Sequence, residues 1–96
     1  MLTVQVDEGI TILAVQGEVT VSSAASLHEE LQKSIKDGDV FELDLTEVEE
    51  IDSSGVQLIS VLRREAGLKG KKLTIAAHSP ATHTVFDLLG LIDKFQ

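Results

Sequence analysis

Phe41-Glu42-Leu43-Asp44-Leu45 alternates apolar and polar residues, and a little further on Asp52-Ser53-Ser54-Gly55 opens a run with a helical period. Period-two alternation predicts a strand with one well-buried face. Beyond it, Gly55, Leu58, Ile59, Leu62 and Ala66 share one stripe of a helix, which leaves Gln57, Ser60, Arg63 and Arg64 on its outside. Asp52 or Ser53 can cap that helix, and Thr46 to Ile51 reads as the loop before it. Gly70 closes the helix, and Leu73-Thr74-Ile75-Ala76-Ala77 reads as another strand. Strand, helical crossover and strand make a unit whose two strands run parallel.

On the N-terminal side, Leu2 to Val6 alternates, Asp7-Glu8-Gly9 offers a turn, and Ile10 to Val15 returns as a second strand, which together predict a hairpin ended by Gly17-Glu18. A helix starts near Ser22 and carries Ala24, Leu27, Leu31 and Ile35 at helical spacing, with Asp37-Gly38 as its stop. On the C-terminal side, Ser79-Pro80 pairs a capping residue with a proline in the first turn. Val85, Phe86, Leu88 and Leu89 give the last helix its apolar side, and Gly90-Leu91 predicts a glycine stop with a contact back to Phe86. The expected architecture is α/β, in the order β-β-α-β-α-β-α, with a four-stranded mixed sheet, helices packed against it, and one domain over residues 1–96.

Ninety-six residues suit one modest core, and with only Phe41, Phe86 and Phe95 as aromatics, aliphatic side chains must fill it. The absence of cysteine excludes disulfides, thiol catalysis and thiolate metal sites, and fits a reducing cytoplasm. Met1-Leu2-Thr3-Val4 begins no cationic segment with a long apolar run, so neither a signal peptide nor membrane insertion is expected. A formal charge of −8 repels nucleic-acid phosphate and anionic lipid, which argues against direct nucleic-acid binding. The basic clusters are Arg63-Arg64 and Lys69 to Lys72.

Catalytic patterns are lacking. His28, His78 and His83 form no His-Glu-x-x-His arrangement and are expected in core, cap or surface roles. Glu47, Glu49, Glu50 and Asp52 make an acidic stretch to which no metal is assigned. Ser53 sits in no glycine-flanked nucleophile elbow, and Gly67 and Gly70 stand in no Walker-type sequence. The expectation is a non-enzyme without cofactor.

The chain resembles the STAS domain family, named for sulfate transporters and anti-sigma factor antagonists. Gly17-Glu18-Val19-Thr20 is similar to that family's turn after the second strand, Phe41 to Thr46 to its central strand, Asp52-Ser53-Ser54-Gly55-Val56 to the signature loop of its stand-alone antagonists, and Ser79-Pro80 with Leu88-Leu89-Gly90-Leu91 to its closing helix. The resemblance implies a bacterial protein that binds an anti-sigma factor with serine kinase activity, or a related regulatory partner, and is released when a loop serine is phosphorylated. It places the phosphoacceptor at Ser53, with Asp52, Ser54 and Gly55 as neighbouring loop positions. Two other branches share the pattern: accessory subunits of an ABC-transporter ATPase, similar to MlaB, and chemotaxis-associated proteins.

The residues support such a switch on physical grounds. A hydroxyl on a first helical turn faces unpaired N–H groups and the positive end of the helix dipole. A phosphate there adds about −1.5 to −2 charges beside Asp52, Glu49 and Glu50. On local sequence alone Asp52 and Ser53 read as plain helix caps; the whole-chain resemblance turns the reading to a regulatory loop. Val56, Gln57, Ser60 and Arg64 follow the loop as a candidate docking strip along one helical edge, with an ordinary solvated face as the alternative.

Overall fold

A computed structural model of the chain, describing residues 1–95, contains β1 (Leu2–Asp7), β2 (Ile10–Val19), α1 (Ala24–Ser34), β3 (Val40–Ile51), α2 (Ser53–Leu68), β4 (Lys72–His78), α3 (Pro80–Leu88) and a short 3-10 helix (Ile92–Phe95). The expected order and the four-stranded mixed sheet are both present. Strand order is β1-β2-β3-β4, with β1 antiparallel to β2 and the pairs β2–β3 and β3–β4 parallel.

The hairpin closes through Glu8 and Gly9, both at positive φ (50° and 82°), with Asp7 paired to Ile10. Two consecutive left-handed residues give the tight turn whose twist matches antiparallel strands. Each later parallel pairing is joined by a helix, and right-handed crossovers between successive neighbours place α1 and α2 on the same face of the sheet.

That face is the core. Leu13 and Val15 of β2 and Phe41, Leu43 and Leu45 of β3 point into it and are almost fully buried, whereas Ile12, Glu42 and Asp44 on the opposite face are only half-buried. Helix α1 contributes Leu27 and Leu31, α2 contributes Leu58, Ile59, Leu62 and Ala66, and Phe86 of α3 packs against Phe95 with ring centroids 5.5 Å apart. These residues form one hydrophobic cluster.

Three expectations need correction. Thr46 to Ile51 is strand, not loop, and β2 runs on through Gly17-Glu18 to Val19. The reason is a pair of irregularities in the β2–β3 ladder: Ala14 pairs with Asp44 but Gln16 with Glu47, and Gly17 pairs with Val48 but Glu18 with Glu50. Each step places one extra residue in β3, as a bulge does. Leu45, Val48 and Ile51 therefore stay on the buried side at a spacing of three instead of two.

The third correction concerns α3. Leu88 and Leu89 are exposed (81% and 54%), while Thr82 is fully buried beside Phe86. At 100° per residue Leu88 lies roughly 200° around the helix from Phe86. Leu89 is already the C-cap, from which the chain folds back so that the Leu91 N–H bonds to the Phe86 carbonyl at 2.8 Å. Thr82 is tolerated inside because it completes a capping box with Ser79, each side chain serving the other's backbone N–H.

Candidate functional site

The long β3 delivers the chain to the mouth of α2. Ile51 is its last, buried residue, and Asp52 turns the chain into the helix with extended backbone (φ −121°, ψ −173°). Between the two capping candidates in the sequence, the structure selects Asp52. Its Oδ1 accepts from the Gly55 N–H at 3.1 Å and its Oδ2 from the Val21 N–H at 3.0 Å. One carboxylate thereby ties the start of α2 to the β2–α1 loop.

Gly55 sits where no side chain fits: a Cβ there would lie 2.2 Å from the Val19 carbonyl oxygen and 2.8 Å from Ile51 Cγ1. The first turn of α2 can thus rest directly on the ends of β2 and β3. The β2–α1 loop is held from the other side by Ser23, whose hydroxyl donates to the Glu18 carbonyl at 2.9 Å and accepts from the Thr20 N–H at 3.0 Å.

On this frame Ser53 is the first residue of α2 and is exposed; among the described residues its hydroxyl has no hydrogen-bond partner. The carboxylates around it are tuned in opposite directions. The Val21 N–H, with help from Gly55 and against some desolvation, holds Asp52 below the usual carboxylate range. Glu50 is pushed up, chiefly by a hydrogen bond shared with its cross-strand partner Glu18, then by repulsion from Glu18 and, more weakly, from Asp52.

The loop positions and docking strip read from the sequence divide into three parts. Gly55 and Val56 are buried against the core, so they shape the loop from beneath and offer no outward side chain. Ser54 and Gln57 line a shallow groove of about 270 Å³ between α1 and α2, with Ala24, Ala25 and Val61. Ser60 and Arg64 are exposed but turn towards a separate cleft on the other side of α2.

The α1 wall of the groove and the exposed Val21 (72%) were missed by sequence reasoning. The only signal for them is the run of small residues from Ser22 to Ala25, which reads locally as helix start alone. At its far end the groove is braced by Glu65, which bonds His28 Nε2 at 2.7 Å and Gln32 Nε2 at 2.9 Å across the two helices and is held below the usual carboxylate range, mainly by His28. His78 is half-buried against Phe86 and bonds Thr82 Oγ1 at 3.0 Å, and His83 is exposed. Among the described residues no group of three or more His, Asp or Glu is placed to hold a metal ion, and no helix is long and apolar enough to cross a membrane.

The family model described as "Mlab, STAS domain" matches residues 2–95. No curated protein matches the chain. Among solved structures, an anti-sigma factor antagonist from Mycobacterium paratuberculosis is 25% identical with a TM-score of 0.86, over 99% of this chain and 81% of that one. SpoIIAA from Bacillus, in its phosphorylated form, is 20% identical with a TM-score of 0.70, over 99% and 87%. A sulfate transporter family protein from Wolinella succinogenes is 21% identical with a TM-score of 0.75, over 96% and 75%. The last two share the fold alone. The chain belongs to the STAS domain family.

Proposed function

We propose that this STAS-domain chain is a cytoplasmic regulatory protein of the anti-sigma factor antagonist kind, without catalytic turnover of its own. Its partner is an anti-sigma factor with serine kinase activity, or a related regulatory protein. Ser53 is the phosphoacceptor, and the binding surface is the mouth of α2 with Val21, Ser54, Gln57 and the α1–α2 groove. One observation carries the reading: the unpartnered Ser53 hydroxyl stands exposed on a frame fixed by Asp52, beside an apolar groove open to a partner.

The switch is electrostatic. A phosphate on Ser53 adds about −1.5 to −2 charges at pH 7 within a rim that already carries Asp52, Glu18 and Glu50. A partner that fits the neutral hydroxyl must then desolvate that charge or leave, without any change in the backbone. The anti-sigma factor antagonists among the similar structures, one of them described in a phosphorylated form, support this reading.

The test takes as its probe an anti-sigma factor with a serine kinase domain from the same genome. Ser53→Ala binds it as wild type does but takes no phosphate, whereas phosphorylated wild type binds at least about tenfold more weakly. Equal affinity of the two forms rejects the switch. A second reading, an accessory subunit of an ABC-transporter ATPase, is favoured by the description of the matching family model. It requires co-purification with such an ATPase and indifference to Ser53→Ala.

A further inference from the structure

At the end of α2 remote from Ser53 lies a cleft of about 630 Å³, within the size range of small-molecule sites. Its walls are α2, the beginning of β4 and the closing 3-10 helix. Arg63, Arg64, Lys71, Lys72 and Lys94 line it, which is five of the eight lysines and arginines of a chain with a net charge of −8. Its floor is apolar, formed by Leu73 and Phe95, both buried, and the half-buried Leu91.

Helix-dipole stabilisation does not account for this concentration of charge. The last turn of α2 holds no basic residue, and Lys72 and Lys94 belong to other elements. Ion pairing does not account for it either: among the described residues none of the five cations is paired with a carboxylate. The one carboxylate of α2, Glu65, is turned away to His28 and Gln32. Lys71 has a structural task, donating to the carbonyls of Lys36 and Gly38 at 2.9 and 2.8 Å.

Arg63 is pre-oriented. Its guanidinium carbon stands 5.2 Å from the centre of the Phe95 ring, an arrangement that steadies the planar group while leaving its N–H edge available. A steadied arginine with three further unpaired cations over an apolar floor suits a compact ligand with at least two negative charges and an apolar body. Phosphate oxygens meet that requirement best, because they accept bidentate hydrogen bonds from arginine and point charges from lysine together.

We propose that this cleft is a binding site for a phosphate ester, held by Arg63, Arg64, Lys72 and Lys94 with its apolar part on Leu73, Leu91 and Phe95. The ester is either a free small molecule or a lipid headgroup. The site is separate from the Ser53 surface and stands whether or not that surface is a switch.

The experiment titrates the full chain with pyrophosphate while recording amide resonances, and in parallel sediments it with vesicles of phosphatidylglycerol or phosphatidylcholine. The expected result is a saturable shift confined to residues 60–74 and 91–95, weakened at least about tenfold by the exposed pair Lys72→Glu/Lys94→Glu and reduced by added salt. Lys33→Glu, outside the cleft, leaves it unchanged. Sedimentation with phosphatidylglycerol alone, lost in the double variant, assigns a headgroup; the shift without sedimentation assigns a free ester. Shifts that do not saturate, that spread to Lys33 and Lys36, or that survive in the double variant overturn the proposal.

Discussion

The α-carbon of Gly55 faces the carbonyl of Val19 so closely that an added methyl would stand 2.2 Å from its oxygen. That oxygen belongs to the backbone at the end of β2 and cannot rotate away. Gly55→Ala is therefore expected to destabilise the protein by about 1–3 kcal/mol through overpacking. Gly67→Ala, in the same helix with nothing within 4 Å of its added carbon, is expected to stabilise by about 0.4–1 kcal/mol. Urea denaturation of both variants checks the pair; similar effects would show that the close approach is not what restricts position 55.

Asp52 serves two backbone donors at once, Gly55 in its own helix and Val21 across the loop. Asp52→Ala loses the cap and is expected to cost about 0.5–2 kcal/mol. Asp52→Asn keeps one acceptor oxygen, so it restores the helix bond and loses the tie to Val21. Hydrogen exchange separates the two: the Gly55 amide stays protected in the Asn variant while the Val21 amide exchanges faster.

The Glu65 brace predicts an acid-sensitive α1–α2 contact. Its carboxyl is held below the ordinary glutamate range, first by the hydrogen bond with His28. A carboxylate lowered in the folded state adds stability above its unfolded pKa and loses it as pH falls through the folded one. Stability measured from pH 6 down to pH 3 should therefore fall less steeply in Glu65→Gln than in wild type. An unchanged slope would remove Glu65 from the acid response.

Glu8 takes a left-handed conformation (φ 50°) in the hairpin turn, where Asn followed by Gly is the preferred pair. Glu8→Asn is expected to raise stability by about 0.5–1 kcal/mol, read as an upward shift of the thermal midpoint. A downward shift would mean that the glutamate is held there by contacts the turn itself does not need.

Local chemistry made much of this fold legible in the sequence. Gly70 and Gly90 take positive φ directly after the C-caps of α2 and α3 (73° and 67°), as glycine stops predict, and Ser79-Pro80 and Asp52 begin helices as capping residues do, whereas α1 ends at Ser34, four residues before the expected stop at Gly38. The second half of β3 was not legible, because its buried residues obey a period of three imposed by irregular pairing with β2. No pattern within Thr46 to Ile51 reports that pairing. The exposed ends of α3 were hidden for a related reason: Leu88 and Leu89 are apolar, but only the position of the helix stop decides whether they reach the core.

At the site, the sequence exposed the residues that act along the chain and concealed those that act across it. Asp52 and Ser53 stand out as capping residues, and with Gly55 they stand out by resemblance to the family's signature loop. Val21 enters only because a carboxylate thirty-one positions away accepts its N–H, and the groove exists only because α1 and α2 lie side by side.

Two local clusters of opposite sign flank α2: Glu18, Glu50 and Asp52 near its beginning, and the arginines and lysines of the cleft near its end. Each cluster sets a local potential that gathers opposite charge at its own end of the helix before any contact is made. Association with an oppositely charged surface at either cluster should therefore slow as ionic strength rises.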